Sequence, residues 1–178
     1  QGSWGYWNSE PKDANNNPVN ASDPINSTTS SNGFLISDID SANHWSGGGA
    51  TGTSSGSSSG STYHYLESYF TTSAIDLSLY PEVSLEFQQK FRYNNLTSNP
   101  NMSPPPTVYI SSDSVNWVPF LVNGSASGTV PTNTHSSDPD KKLINIGFVA
   151  GGQSTVYLKF GWTARVYYWM IDDMKIVE

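Results

Sequence analysis

Five of the chain's 15 carboxylates stand where their type and spacing could hold a cation. Asp172 and Asp173 are adjacent inside an apolar C-terminal segment, where an ionised carboxylate is costly unless a cation or hydrogen-bond donors compensate it. Alternation through Met170, Met174 and Ile176 puts Asp172 on the core side, and a local bulge would exchange the two acids. Asp38 and Asp40, spaced i, i+2, point the same way on extended chain, and Glu67 is a lone acid in an aromatic run. Oxygen ligands without thiolates suit a hard cation, Ca2+ ahead of Mg2+ because Ca2+ accepts irregular coordination by about six to eight oxygens. Each acid also has a plainer role. Backbone N–H groups or an arginine can satisfy Asp172, and Asp38 and Asp40 can cap a turn. No contiguous EF-hand loop is present, so an ion site would have to be assembled from distant segments.

A second set of residues could read a ligand. From Val83 to Tyr93 apolar and polar residues alternate, with Val83, Leu85, Phe87, Gln89, Phe91 and Tyr93 on one face. The opposite face offers Glu86, Gln88, Lys90 and Arg92. Together with Tyr109, Lys159 and Trp169 of the run Tyr167-Tyr168-Trp169, these supply flat rings and polar forks. A sugar needs both, one to stack on its C–H face and the other to read its hydroxyls. The same residues would also make an ordinary solvated strand face with cross-strand aromatic packing. Signals for catalysis are poorer. His44, His64 and His135 lie in or beside polar stretches without a zinc-protease spacing, and no GxSxG nucleophile motif occurs. Glu82 and Glu86 would sit roughly 13 Å apart on a strand, beyond the approximately 5–9.5 Å of glycosidase carboxylates. No Gly-rich phosphate loop suggests a nucleotide.

The elements that must position these residues are β-strands. With 178 residues the chain is one domain, spanning 1–178. Its hydrophobic fraction is 35% and its charged fraction 13%, yet 13% of residues are aromatic, which leaves no material for long charged surface helices and points to an aromatic core in a polar coat. The formal charge of −7 argues against nucleic acid and anionic lipid as partners. No apolar run of about 18 residues is present to insert in a membrane. Cysteine is absent, so disulfides and thiolate metal sites are excluded. Residues 1–30 read as an irregular N-terminal segment with an aromatic cluster at Trp4, Tyr6 and Trp7, and residues 41–62 as a Ser/Gly-rich loop. Strands are expected over 33–36, 63–70, 83–93, 107–110, 117–122, 143–149, 155–163 and 167–177, with an Asp/Asn turn making a hairpin of the fourth and fifth. Strands joined by polar loops, with no convincing amphipathic helix, make the fold class all-β, an antiparallel β-sandwich with jelly-roll topology.

Five stretches in order, 31–40 (SNGFLISDID), 67–78 (ESYFTTSAIDLS), 83–87 (VSLEF), 108–117 (VYISSDSVNW) and 168–176 (YWMIDDMKI), resemble the MAM-like jelly-roll domains of secreted Bacteroidetes proteins. That group includes the choice-of-anchor J and cleaved-adhesin domains. The resemblance spans about residues 31–177. It implies a non-catalytic module of a larger secreted or cell-surface protein, with a structural calcium held by acids that correspond to Asp38, Asp40, Glu67, Asp172 and Asp173. Three features depart from the pattern: Ser73 stands where proline is usual, the hairpin turn 113–116 lacks its usual glycines, and the Ser/Gly loop precedes residue 63. The expected function is therefore adhesion or carbohydrate binding, the partner being a polysaccharide or a cell-surface protein beside the other domains of the parent chain. A purely structural spacer is the alternative, and a hydrolase a more distant one.

Overall fold

The alternation from Val83 to Tyr93 becomes the central strand of a computed structural model that describes residues 4–7, 24–39, 42, 66–93, 105–123, 134–164 and 167–178. Among these residues the strands are β1 (Trp4–Trp7), β2 (Phe34–Asp38), β3 (Leu66–Thr71), β4 (Ser84–Tyr93) and β5 (Thr107–Ser111). They continue with β6 (Val118–Leu121), β7 (Thr134–His135), β8 (Asp140–Asn145), β9 (Tyr157–Ala164) and β10 (Tyr168–Val177). The first sheet runs β1-β2-β10-β4, and its far edge is shared by β8 against Ser84–Gln89 and β7 against Arg92 and Tyr93. The second runs β3-β9-β5-β6. Every pairing is antiparallel. Outside the β5–β6 hairpin and the β7–β8 edge the chain changes sheet at each step from β2 onward, so β2-β10-β4-β8 faces β3-β9-β5-β6, which is the jelly-roll order.

Three local expectations are corrected. The start of the chain is not loop throughout, because Trp4–Trp7 pairs with β2 as an edge strand. The segment 143–149 stops being strand at Asn145, and Gly147–Ala150 forms a single helical turn, α1, whose Ala150 is buried. Apolar residues in a short run satisfy either period, and here the turn seats Ile146 and Ala150 in the core. A two-residue strand, β7, lies between 122 and 143, where the sequence pattern gives no strand. The Ser/Gly loop, Ala42 excepted, lies outside the described residues.

Between the sheets the aromatic excess becomes a chain of rings. Phe160 stacks on Phe70 at 4.8 Å and meets Phe87 edge-on at 5.6 Å, while Trp4 bridges Phe70 and Trp169 at 4.9 and 5.3 Å. Such pairs add about 0.5–1.5 kcal/mol each beyond burial. Two indoles also carry hydrogen bonds in the core, Trp162 Nε1 across to Ser37 Oγ of the facing sheet and Trp169 Nε1 to Gln89 Oε1 of the neighbouring strand, both 2.9 Å. A smaller cluster of Ile25, Phe34, Ile36, Tyr168 and Met170 lies on the outer face of the first sheet, where the segment 24–33 crosses it.

Gln89 is the polar residue on the apolar face of β4, and it is fully buried. Its Oε1 accepts from Trp169 Nε1 and, at 3.0 Å, from Asn123 Nδ2; its Nε2 donates to Asn123 Oδ1 and, at 2.8 Å, to Asp140 Oδ2. All donor and acceptor places of the amide are thereby filled. Replacing Gln89 by the similar-sized methionine strands the Trp169 N–H and the Asn123 amide. Chemical denaturation of Gln89→Met is expected to show a loss of about 2–4 kcal/mol, and a loss below about 0.5 kcal/mol would refute the amide's role.

Candidate functional site

Of the five expected metal ligands, the four that are described do not meet in one place. Asp172 and Asp173 sit at a register break in β10, between the pairs Asp172↔Gln88 and Lys175↔Glu86. Asp173 has φ of +52°, a left-handed conformation that aspartate tolerates, and the break brings both carboxylates to the outer face of the first sheet. There they hold the crossing segment. Ser27 Oγ donates to Asp172 Oδ2 at 2.6 Å, Thr29 Oγ1 to Asp173 Oδ1 at 2.6 Å, and Thr28 N to Asp173 Oδ2 at 3.0 Å. Gln88 Nε2 adds a donor to Asp173 Oδ2. Asp38 lies four residues away along the same sheet, opposite Tyr168. Its carboxylate is buried at the end of β2. Glu67 is exposed at the start of β3, opposite Thr163 in the other sheet. Asp40 lies outside the described residues. Among the described residues no three His, Cys, Asp or Glu side chains come together.

The polar face of β4 is occupied internally. Gln88 Nε2 reaches Thr28 Oγ1 at 2.9 Å, and Lys90 Nζ pairs with Asp138 at 2.8 Å and reaches the carbonyl of Pro24 at 3.4 Å. Asp138 Oδ1 in turn accepts from Asn26 N. Arg92 stacks over Tyr167 at 4.2 Å, and Glu86 accepts from Lys141 and Lys175 at 3.0 and 2.9 Å, the two lysines holding its carboxyl below the usual range. Trp169, expected at the ligand surface, is fully buried between the sheets. β10 is a central strand covered on both faces, so its apolar run gives no phase, and the observed phase turns Trp169 inward.

Tyr109 and Lys159 stand elsewhere, on the outer face of the second sheet, directly opposite one another on β5 and β9. Sequence reasoning missed two companions, Tyr69 and Trp117. The Tyr69 ring is tilted against Tyr109 at 6.3 Å. The Lys159 ammonium lies 4.1 Å from the centre of the Trp117 ring, 4.9 Å from Tyr109 and 5.8 Å from Tyr69. Strand parity was the available signal: with Leu66 and Ser68 inward on β3, Tyr69 must face out beside Glu67.

Local structure fixes each ring. Tyr69 is opposite Gly161, and a Cβ there would come within 2.0 Å of Tyr69 Cδ1, so the absent side chain is what lets the ring lie across β9. Trp117 closes the β5–β6 turn, in which the Asp113 carboxylate accepts from the N–H groups of Val115 and Asn116 at 2.8 and 2.7 Å. Those donors hold the Asp113 carboxyl far below the usual range. Burial pushes Tyr109 up to about 12 and raises Tyr69 as well. Burial also lowers Lys159.

Fold and site together define an antiparallel jelly-roll sandwich with one outer face closed by its own chain and the other carrying an aromatic platform around a lysine. A solved structure similar to this chain is the K1 cleaved adhesin domain of Lys-gingipain from Porphyromonas gingivalis W83, with a TM-score of 0.44 and 13% identity over 99% of this chain and 83% of that one. The likeness is loose, and the fold rests on its own strand order. No family model and no curated protein matches the chain.

The hydroxyl clamp on Asp172 and Asp173 has a measurable consequence. Asp172→Ala/Asp173→Ala removes the acceptors of the 27–29 segment and is expected to cost about 2–4 kcal/mol. It should also raise binding of an apolar dye as Phe34, Ile36 and Met170 become uncovered. Both effects should be unchanged in excess chelator.

Proposed function

We propose that the chain is a non-catalytic, adhesion-type module of a larger secreted or cell-surface protein, and that the outer face of its β3-β9-β5-β6 sheet binds polysaccharide. The observation that carries this reading is the grouping of Tyr69, Tyr109 and Trp117 around Lys159 on that face. Flat rings held by backbone and turn geometry can receive the C–H face of a sugar with little ordering cost, and each stacked ring supplies about 1 kcal/mol. The opposite face is closed by the segment 24–33, and Gln88 and Lys90 of β4 are engaged in holding it. The acids adjacent in β10 are hydrogen-bonded by that segment, which supports a structural role for them over a catalytic one. Among the described residues no helix is long and apolar enough to cross a membrane.

A glycan array probed with the 178-residue chain tests the reading. Selective signals are expected, weakened about fivefold in Trp117→Ala or Tyr69→Ala, since loss of one stacked ring is worth about 1 kcal/mol. A blank array would overturn the reading in favour of a spacer or a protein-contact domain.

A structural Ca2+ belongs to the same proposal, now narrowed to Asp38, Asp40 and Glu67. Its support is placement. Asp38 ends β2 opposite Tyr168 at the start of β10, where Ile39 N donates to Tyr167 O, and Glu67 stands near the start of β3 opposite Thr163 near the end of β9. Buried Thr163 Oγ1, opposite Glu67, has no hydrogen-bond partner among the described residues, so an oxygen there is open to a further contact. Chelation is expected to lower the melting temperature and added Ca2+ to restore it. An unchanged melting curve in excess chelator would retire the ion.

A further inference from the structure

We infer that the saccharide this face takes is acidic, its carboxylate meeting the Lys159 ammonium while its ring stacks on Trp117 and Tyr109. The inference rests on the carbohydrate reading proposed above and adds the chemical class of ligand.

The described lysines divide sharply. Lys90 pairs with Asp138, Lys141 and Lys175 with Glu86, and Lys142 with Asp140, all at 2.8–3.0 Å. Lys159 is the exception among them, with no carboxylate of the described residues within 4.0 Å and three aromatic rings instead. In a chain of formal charge −7, leaving a half-buried ammonium without an acid is not a shortage of acids. The rings hold the cation through their π faces, an attraction that leaves its N–H donors free to take a further acceptor. Burial disfavours the bare charge, as the lowered proton affinity of Lys159 reflects, so an incoming anion gains more here than at a solvated lysine.

The surroundings select against other anions. Among the described residues this face carries rings, neutral hydroxyls, Glu67 and one cation, so a phosphodiester polymer finds no run of lysines or arginines to follow there. A sugar acid suits the arrangement, because it combines one carboxylate with a stackable ring. Glu67 lies on the same face near the two tyrosines, where it raises both phenols. Opposite Thr163, it marks the side of the platform that disfavours anions and leaves the Trp117 side for the carboxylate.

Polygalacturonate, alginate and hyaluronan, each with its carboxyl-reduced or methyl-esterified counterpart, test this by titration against the whole chain. An acidic polymer should bind, its neutralised counterpart should bind at least about tenfold more weakly, and Lys159→Met should lose a similar factor while Lys159→Arg retains most of the affinity. A melting curve for Lys159→Met matching the parent would assign its loss to the ligand contact. Equal binding of acidic and neutralised polymers, or of neutral glycans alone, would overturn the inference and leave the carbohydrate reading standing. Absence of binding to every polymer, acidic and neutral, would overturn both.

Discussion

A complete amide sits in the middle of an aromatic core at Gln89, and the rest of the sandwich is arranged around satisfying it. An unpaired buried amide costs more than one made hydrogen bond returns, so the structure must bring every partner to it. Those partners come from three places: Trp169 on the neighbouring β10, Asp140 at the start of β8, and Asn123 just beyond β6 of the facing sheet. The amide therefore fixes the register of β4 against both of its neighbours and ties the sheets together at one point. Apolar packing alone tolerates small slips, whereas four directional bonds do not.

The two outer faces then meet different fates. On the first sheet, Phe34, Ile36, Tyr168 and Met170 turn outward, which water would penalise, and the segment 24–33 covers them with Ile25. A covering segment with so few apolar residues needs polar fastening. The carboxylates at the β10 register break and the Lys90–Asp138 pair supply it. On the second sheet the outward residues include Tyr69, Tyr109, Trp117 and Lys159, which can remain partly exposed because each ring carries a polar edge or a neighbouring charge. One face is spent on stability and the other stays available.

Much of this was legible in the residues. The alternation of β4 is reproduced side chain by side chain from Val83 to Arg92, Gln89 included, and the Asp113 turn forms the expected hairpin. The high cost of Asp172 and Asp173 was also legible, but not its remedy, because Ser27 and Thr29 lie some 145 residues away and no local spacing reveals them. Trp169 was misplaced for a related reason: a strand buried on both faces reads as an unbroken apolar run, and its phase is decided by neighbours. Tyr109 and Lys159 do stand together, while the four β4 residues grouped with them belong to the opposite outer face. Pairing across sheets is a matter of topology, and topology is not written in any single segment.

β9 shows why the open face is firm. Its inward side chains, Phe160 and Trp162, are fully buried among the core rings, and its outward positions beside them are Lys159 and Gly161. The depth and tilt of the platform are thus set by the packing beneath it. Gly161 lowers the floor by one side chain so that Tyr69 can lie across the strand and reach Tyr109. Lys159, one step along, is then walled by rings from β3, β5 and the β5–β6 turn. A ligand arriving at this face meets rings already held in place, so its stacking energy is not consumed in ordering them. The aromatic richness of the chain accordingly has two connected uses, since the rings that fill the core also hold the strand on which the exposed rings are displayed.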